Sequence, residues 1–280
     1  MRTPSLLVSA ATAILLQSLP LCLPAAGESP AGLRALVRES LEGLNRESKL
    51  REDYLFAGRN ESIEFNAAGK TVRRTTSAWE MVVVDGVVLR RATERNGKPL
   101  TDAETAADLE SLRAQAREWK ETPPEKRAQS RRDEHMVWLQ EFPEALDYRL
   151  AGEESREGRA TLVLQFEPRP GYKPRNLRAR VFEKTRGKLW IDKAEKEVVR
   201  VEVEVFDDIS IAYGLFGKIV KGTQFGLSRQ RLAERAWITD WQRFRFDARV
   251  LMVKTIRRQE VNHFERFSRR SVEAARVRAE

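Results

Sequence analysis

The chain has 280 residues, a formal net charge of +9 and one cysteine. That length allows one large core, and a single cysteine excludes a disulfide framework or a thiolate-held metal. Lysine and arginine total 51 against 42 acids, and they are interspersed. The surface therefore reads as solvated and charge-laced, with attraction to anionic head groups as the sharper alternative; no motif points to nucleic acid.

Arg2, the uncharged and mostly apolar stretch Leu6 to Leu23 with Pro20 inside it, and the small residues Ala25, Ala26 and Gly27 form the three parts of a cleaved export signal. Residues 1–27 are expected to be that signal, and Cys22 to leave with it. Removing Arg2 leaves a mature chain of about +8. No later stretch has the length and apolarity of a bilayer span.

Ala31 to Arg51 reads as a helix. Leu33, Leu36, Val37, Leu41 and Leu44 recur at three- and four-residue steps, and Pro30 sits ahead of them. The period then changes to two. Ser62 to Phe65 is a short strand, Asn66 to Lys70 a turn, and Thr71 to Val84 and Val87 to Glu94 are strands joined by Asp85-Gly86, a tight-hairpin signal. Asn96-Gly97 ends this meander. Thr101 and Glu104 have capping-box spacing, so Ala103 to Lys120 is expected to be helical. Pro123-Pro124 breaks that helix, and Glu125 to Glu141 reads as a second one.

The rest is β-rich. Tyr148 to Gly152, Ala160 to Glu167 and Lys188 to Asp192 are strands, with a proline-containing crossover and a short helix after Asn176 between the last two. Val199, Val201, Val203 and Val205 alternate with Arg200, Glu202 and Glu204, which predicts one buried and one wet face. Lys218 to Phe225, Ser228 to Glu234, Trp237 to Met252 and Val253 to Phe267 complete the run. Residues 268–280 form a basic tail. The pattern predicts one α+β domain over residues 28–267. Its antiparallel sheet has about ten strands, curved into an open half-barrel, with an N-terminal helix and a mid-chain helical insertion.

Little in the chain suggests catalysis. His135 stands beside Asp133 and Glu134 on a polar helix, and His263 between aromatic neighbours on the last strand. Neither has a second ligand at metal spacing. No nucleophile elbow or phosphate-cradling glycine loop is present. The pairs Glu153-Glu154 and Asp207-Asp208 read as solvated turn acids. No catalytic residue, no metal and no cofactor are expected.

Three short runs carry a family resemblance. Gly187-Lys188-Leu189-Trp190-Ile191-Asp192 resembles a glycine-turn strand ending in W-[IVL]-D. Trp237-Ile238-Thr239 resembles a late W-[LI]-P strand, and Asn262 to Phe267 a terminal aromatic strand. With the order of elements, these runs resemble the outer-membrane lipoprotein-sorting family, the LolA/LolB-like periplasmic carriers. The chain departs from the small carriers in its greater length and larger insertion. No residue in it matches the arginine that locks their lid.

The resemblance implies an open β-barrel in the periplasm of a Gram-negative-type bacterium, with helices over an apolar concave face that holds acyl chains of a lipid or lipoprotein. The residues expected to line that cavity are Trp79, Leu162, Leu164, Phe166, Trp190, Val201, Val203, Phe244 and Phe246. The alternative is an envelope sensor or interaction protein that grips a protein partner with the same fold.

Overall fold

Ser29 and Pro30 start the first helix, α1 (Pro30–Glu52). Ser29 Oγ accepts the Gly32 amide at 3.1 Å, and proline occupies the first helical position, where an amide would have no partner. A computed structural model describes residues 29–123, 125–126, 140–176, 178–211, 217–250 and 254–270. The expected signal, His135, nearly all of the expected helix Glu125 to Glu141 and the tail beyond Arg270 lie outside the described residues.

After α1 come β1 (Tyr54–Phe65), β2 (Thr71–Val84), β3 (Val87–Arg95) and the short β4 (Lys98–Pro99). Asp85-Gly86 turns the β2–β3 hairpin with φ of 49° and 80°, the left-handed pair that such a turn requires. Then α2 (Asp102–Glu121) opens on the expected capping box. The Glu104 amide donates to Thr101 Oγ1, and Glu104 Oε2 accepts the Thr101 amide at 2.9 Å. Next are α3 (Phe142–Ala145), β5 (Leu146–Arg156), β6 (Arg159–Pro168) and a 3-10 turn at Arg178–Lys184. The chain finishes with β7 (Thr185–Asp192), β8 (Val198–Val205), β9 (Ile209–Ile211), β10 (Gly217–Ile219), β11 (Gln224–Ala233), β12 (Ala236–Val250) and β13 (Lys254–Arg269).

The main sheet runs β4-β3-β2-β1-β13-β12-β11-β8-β7-β6-β5, with β9 and β10 attached beside β12. Its pairings are antiparallel, and its end strands β4 and β5 do not pair with each other. This is the expected open α+β architecture, with thirteen described strands where about ten were expected. β1 starts at Tyr54 rather than Ser62. Arg59, Asn60 and Glu61 hide its period in the sequence, but pairing with both β2 and β13 holds this segment extended. Glu153-Glu154 lies in β5 rather than in a turn, and Glu154 Oε2 accepts the Trp190 indole N–H at 2.9 Å. Among the described residues no helix is long and apolar enough to cross a membrane.

The run from Gly187 to Asp192 forms most of β7 and the turn after it. A Cβ on Gly187 would lie 1.9 Å from the Glu202 carbonyl oxygen, so only glycine lets β7 and β8 meet there. Asp192 Oδ1 accepts the amides of Ala194 and Glu195 at 3.1 and 2.7 Å, and Arg159 holds the same carboxylate with two bonds. Burial pushes the neighbouring Glu195 up. Hydrogen bonds from the Arg231 guanidinium, the Trp237 indole and the Arg235 amide outweigh that and bring it down to about 2.

A depressed carboxyl stabilises the fold above its unfolded value. That contribution is lost as pH falls from about 4.5 towards about 2. Glu195→Gln is therefore expected to cost about 1–2 kcal/mol at neutral pH, allowing for solvent screening. The difference from the parent should close by about pH 2. Melting temperatures of both proteins across this range check it; a constant difference would show that the carboxylate is not the source.

Candidate ligand-binding face

Side chains opposite each other on antiparallel strands share a face, and alternate residues along a strand return to it. Leu33 and Val37 of α1 pack in one core with Leu146, Tyr148, Leu164, Phe166, Leu189, Ile191, Val201 and Leu227. These residues identify the α1 side of the sheet. The helix crosses it from β5 to β12 and reaches β1, while α2 lies on β3 and β2.

The C-terminal half of α1 buries Ser40, Gly43 and Glu47, while Leu41 packs half-buried against the edge of the core and Leu44 is half-buried. The reason lies beneath it. Arg229 of β11, with a side chain only 1% exposed, uses all five of its donors. Nε donates to Glu47 Oε2 at 3.1 Å, Nη1 to Glu197 Oε2 at 3.0 Å and the Val198 carbonyl at 3.1 Å, and Nη2 to the carbonyls of Gly43 and Trp237 at 3.2 and 2.8 Å.

Glu47 also accepts from the Thr239 amide and hydroxyl, each at 2.9 Å, and from Arg51 Nε at 2.8 Å. Arg46 pairs with Glu197 from the helix surface. Gly43 makes room for this network, because a Cβ there would meet Glu197 Oε2 at 1.8 Å. The cluster ties α1 to β8, β11 and β12 through charge-assisted bonds. No sequence motif marked Arg229 as a residue buried under the helix.

Beyond the end of α1, Phe56, Trp79, Phe264 and Phe267 form an aromatic group, with the Arg51 guanidinium 5.0 and 5.1 Å from the Phe56 and Phe264 ring centres. Trp79 lies across Gly58, where a Cβ would come within 2.4 Å of the indole.

Among the described residues, the same face is open beyond the part covered by α1. Phe225 is 36% exposed and Phe244 41%. They pair across β11 and β12, and Phe244 stacks on Phe246 at 5.5 Å. Val203, opposite Phe225, joins this patch to the closed core. Gln242 and Asn262 form the next pair on this face, and Asn60 donates to the Asn262 side-chain oxygen at 2.8 Å.

The residues expected to line a cavity thus separate into groups. Leu164, Phe166 and Val201 are buried in the core under α1. Leu162 pairs with Ile191 on the same side and is half-buried. Trp79 belongs to the aromatic group near the end of α1. Val203, Phe244 and Phe246 belong to the open patch, together with Phe225, which no motif or alternation singled out.

Trp190 lies on the opposite side of the sheet, in a separate cluster with Val163, Val199 and Trp237. A bulge explains why Val199 leaves the face of Val201. Arg200 opposes Trp190 and Val198 opposes Ile191, so Val199 is the extra residue and the alternation breaks there.

No family model matches the chain, and no curated protein matches it. Among solved structures it is similar to a domain described as an outer membrane lipoprotein-sorting protein domain from Vibrio parahaemolyticus. That match has 11% identity and a TM-score of 0.32 and covers 84% of this chain and 93% of that one. A LolA superfamily protein from Nitrosomonas europaea aligns at 10% identity and a TM-score of 0.25, covering 83% of this chain and 94% of the other. The lipoprotein LppX of Mycobacterium tuberculosis aligns at 12% identity and a TM-score of 0.27, covering 63% of this chain and 89% of its own.

Proposed function

We propose that this chain is an exported, non-enzymatic binding protein of the cell envelope that takes up the acyl chains of a lipid or lipoprotein on the α1 side of its sheet. The observation that carries the reading is the open patch of Phe225, Phe244 and Phe246, continuous through Val203 with the closed core. Hydrocarbon laid over these rings gains about 0.8 kcal/mol per methylene removed from water. Polar groups border the patch. Arg258 donates to Ser62 Oγ at 2.9 Å and pairs with Glu260 at 3.0 Å, and Glu260 stands opposite Phe244. An acyl chain on the rings would leave its head group beside these charges.

The core under α1 lies on the same face as the patch, so moving the helix would lengthen the apolar surface. The Arg229 cluster opposes that movement. Native mass spectrometry of gently purified protein, followed by titration with a fluorescent fatty-acid probe, tests the proposal. Lipid adducts and saturable probe binding are expected. Protein that is clean by mass and does not bind the probe would overturn it; recovery of a protein segment in place of lipid would favour the interaction reading.

A further inference from the structure

The sheet face away from α1 carries a built trough that acyl binding does not use. Arg200, Ser228, Trp241, His263, Arg59, Ala78 and Glu94 stand opposite one another in a single row across β8, β11, β12, β13, β1, β2 and β3. At about 4.8 Å between strands this row spans roughly 29 Å. Two cavities lie along it, of about 520 and 310 Å³, and they share Glu265 and Arg266.

The trough follows a line of β-bulges. Asp240 is the extra residue in β12, Thr93 in β3 and Val199, beside Arg200, in β8. In β13, Arg266 and Phe267 together oppose Phe56. A bulge bends its strand and re-aims a side chain. Here bulges bring Asp240, Thr93 and Arg266 to the cavity walls. Arg266 has φ of +56°, left-handed backbone that glycine adopts without strain and arginine does not.

Part of the wall is preorganised. Arg200 is held by Glu202 at 2.9 and 2.6 Å, and its guanidinium lies 5.8 and 5.4 Å from the rings of Trp190 and Trp241. Ser228 Oγ donates to Asp240 Oδ1 at 2.8 Å. In contrast, the side chains of Arg59, Gln230, His263, Glu265 and Arg266 make no hydrogen bond or ion pair among the described residues. They face water with donors and acceptors to offer.

We infer that this trough binds a neutral oligosaccharide segment. Charge in each cavity is balanced: Arg200 and Arg266 against Asp240 and Glu265 in the larger, Arg59 and Arg266 against Glu94 and Glu265 in the smaller. A polyanion or polycation would meet as many like charges as opposite ones. The rings give no free apolar platform, because Arg200 and Arg243 both lie against Trp241. A peptide would find no ladder to extend, since strand amides within a sheet are already paired. Sugar hydroxyls each donate and accept. They suit a wall of planar carboxylate, amide, imidazole and guanidinium groups in a long, open channel whose charges balance.

Calorimetric titration of the full chain with maltohexaose, cellohexaose and chitohexaose tests the inference. At least one is expected to bind at millimolar or lower concentration, with little dependence on salt. Arg266→Gly relieves the backbone and removes the guanidinium, so it should keep or raise the melting temperature while weakening binding about fivefold or more. Asp240→Asn should weaken binding similarly. Phe244→Ser, on the other face, should leave sugar binding unchanged, which separates this result from the acyl-binding proposal. Absence of binding by all three sugars, indifference to both trough substitutions, or binding confined to heparin or an acidic peptide would overturn it.

Discussion

Arg229→Met is expected to destabilise the protein by about 3–5 kcal/mol, because it leaves Glu47 and Glu197 buried without their shared cation. Their side chains are only 7% and 1% exposed, so water does not replace the lost donors. Three backbone carbonyls, those of Gly43, Val198 and Trp237, also lose a donor. For a domain of this size the loss corresponds to roughly 10 °C in melting temperature. Calorimetry gives the total, and hydrogen exchange shows where it acts. Protection is expected to fall first in α1, because the cluster supplies the polar contacts of that helix's second half with β8, β11 and β12.

Replacing the carboxylates together with the arginine should cost less than replacing the arginine alone, since no buried carboxylate oxygen is then left without the donors that Arg229 supplied, and the partly exposed Arg46 and Arg51 can turn to water. If Arg229→Met melts within about 1 kcal/mol of the parent, the cluster does not hold α1, and the barrier assigned to helix movement is absent.

The paired substitution Phe225→Ser with Phe244→Ser is expected to weaken fatty-acid probe binding about 30-fold or more while leaving the melting temperature nearly unchanged. Both rings are already more than a third exposed, so the free protein loses little burial when they are truncated. The complex loses the contact that covers them, about 2 kcal/mol if only part of each ring is sealed by the ligand. Phe244→Leu should retain much of the affinity, because leucine keeps an apolar surface at that position. Truncating Leu164 is a poor test of the same idea, since that residue is fully buried in the core and its loss would act through stability. Probe binding that survives the double substitution would place the acyl site elsewhere on the protein.

The Arg229 cluster and the phenylalanine patch occupy one face under opposite conditions. Where α1 covers the sheet, apolar side chains are closed and a buried charge network fixes the helix over them. Where no described helix covers it, aromatic rings of the same strands face water. Burial there depends on what a ligand supplies, which makes the patch a better candidate for binding than the core beside it.

What the sequence alone determined was local. The helix from Pro30, the Thr101–Glu104 capping box, the Asp85-Gly86 hairpin and the alternation of Leu162, Leu164 and Phe166 depend on neighbours a few residues away, and each is present. The open antiparallel class follows from such elements in series. The tertiary structure decided what meets at long range. Arg229 finds Glu47 from 182 residues away. Bulges move Val199 off the face of Val201 and bring Asp240 and Arg266 to an outer trough. Register also decides whether an aromatic strand residue is sealed under α1, as Phe166 is, or left open, as Phe244 is. The cause is the two-residue period of a strand: one added residue exchanges its faces, and only pairing with distant strands determines where that residue is added.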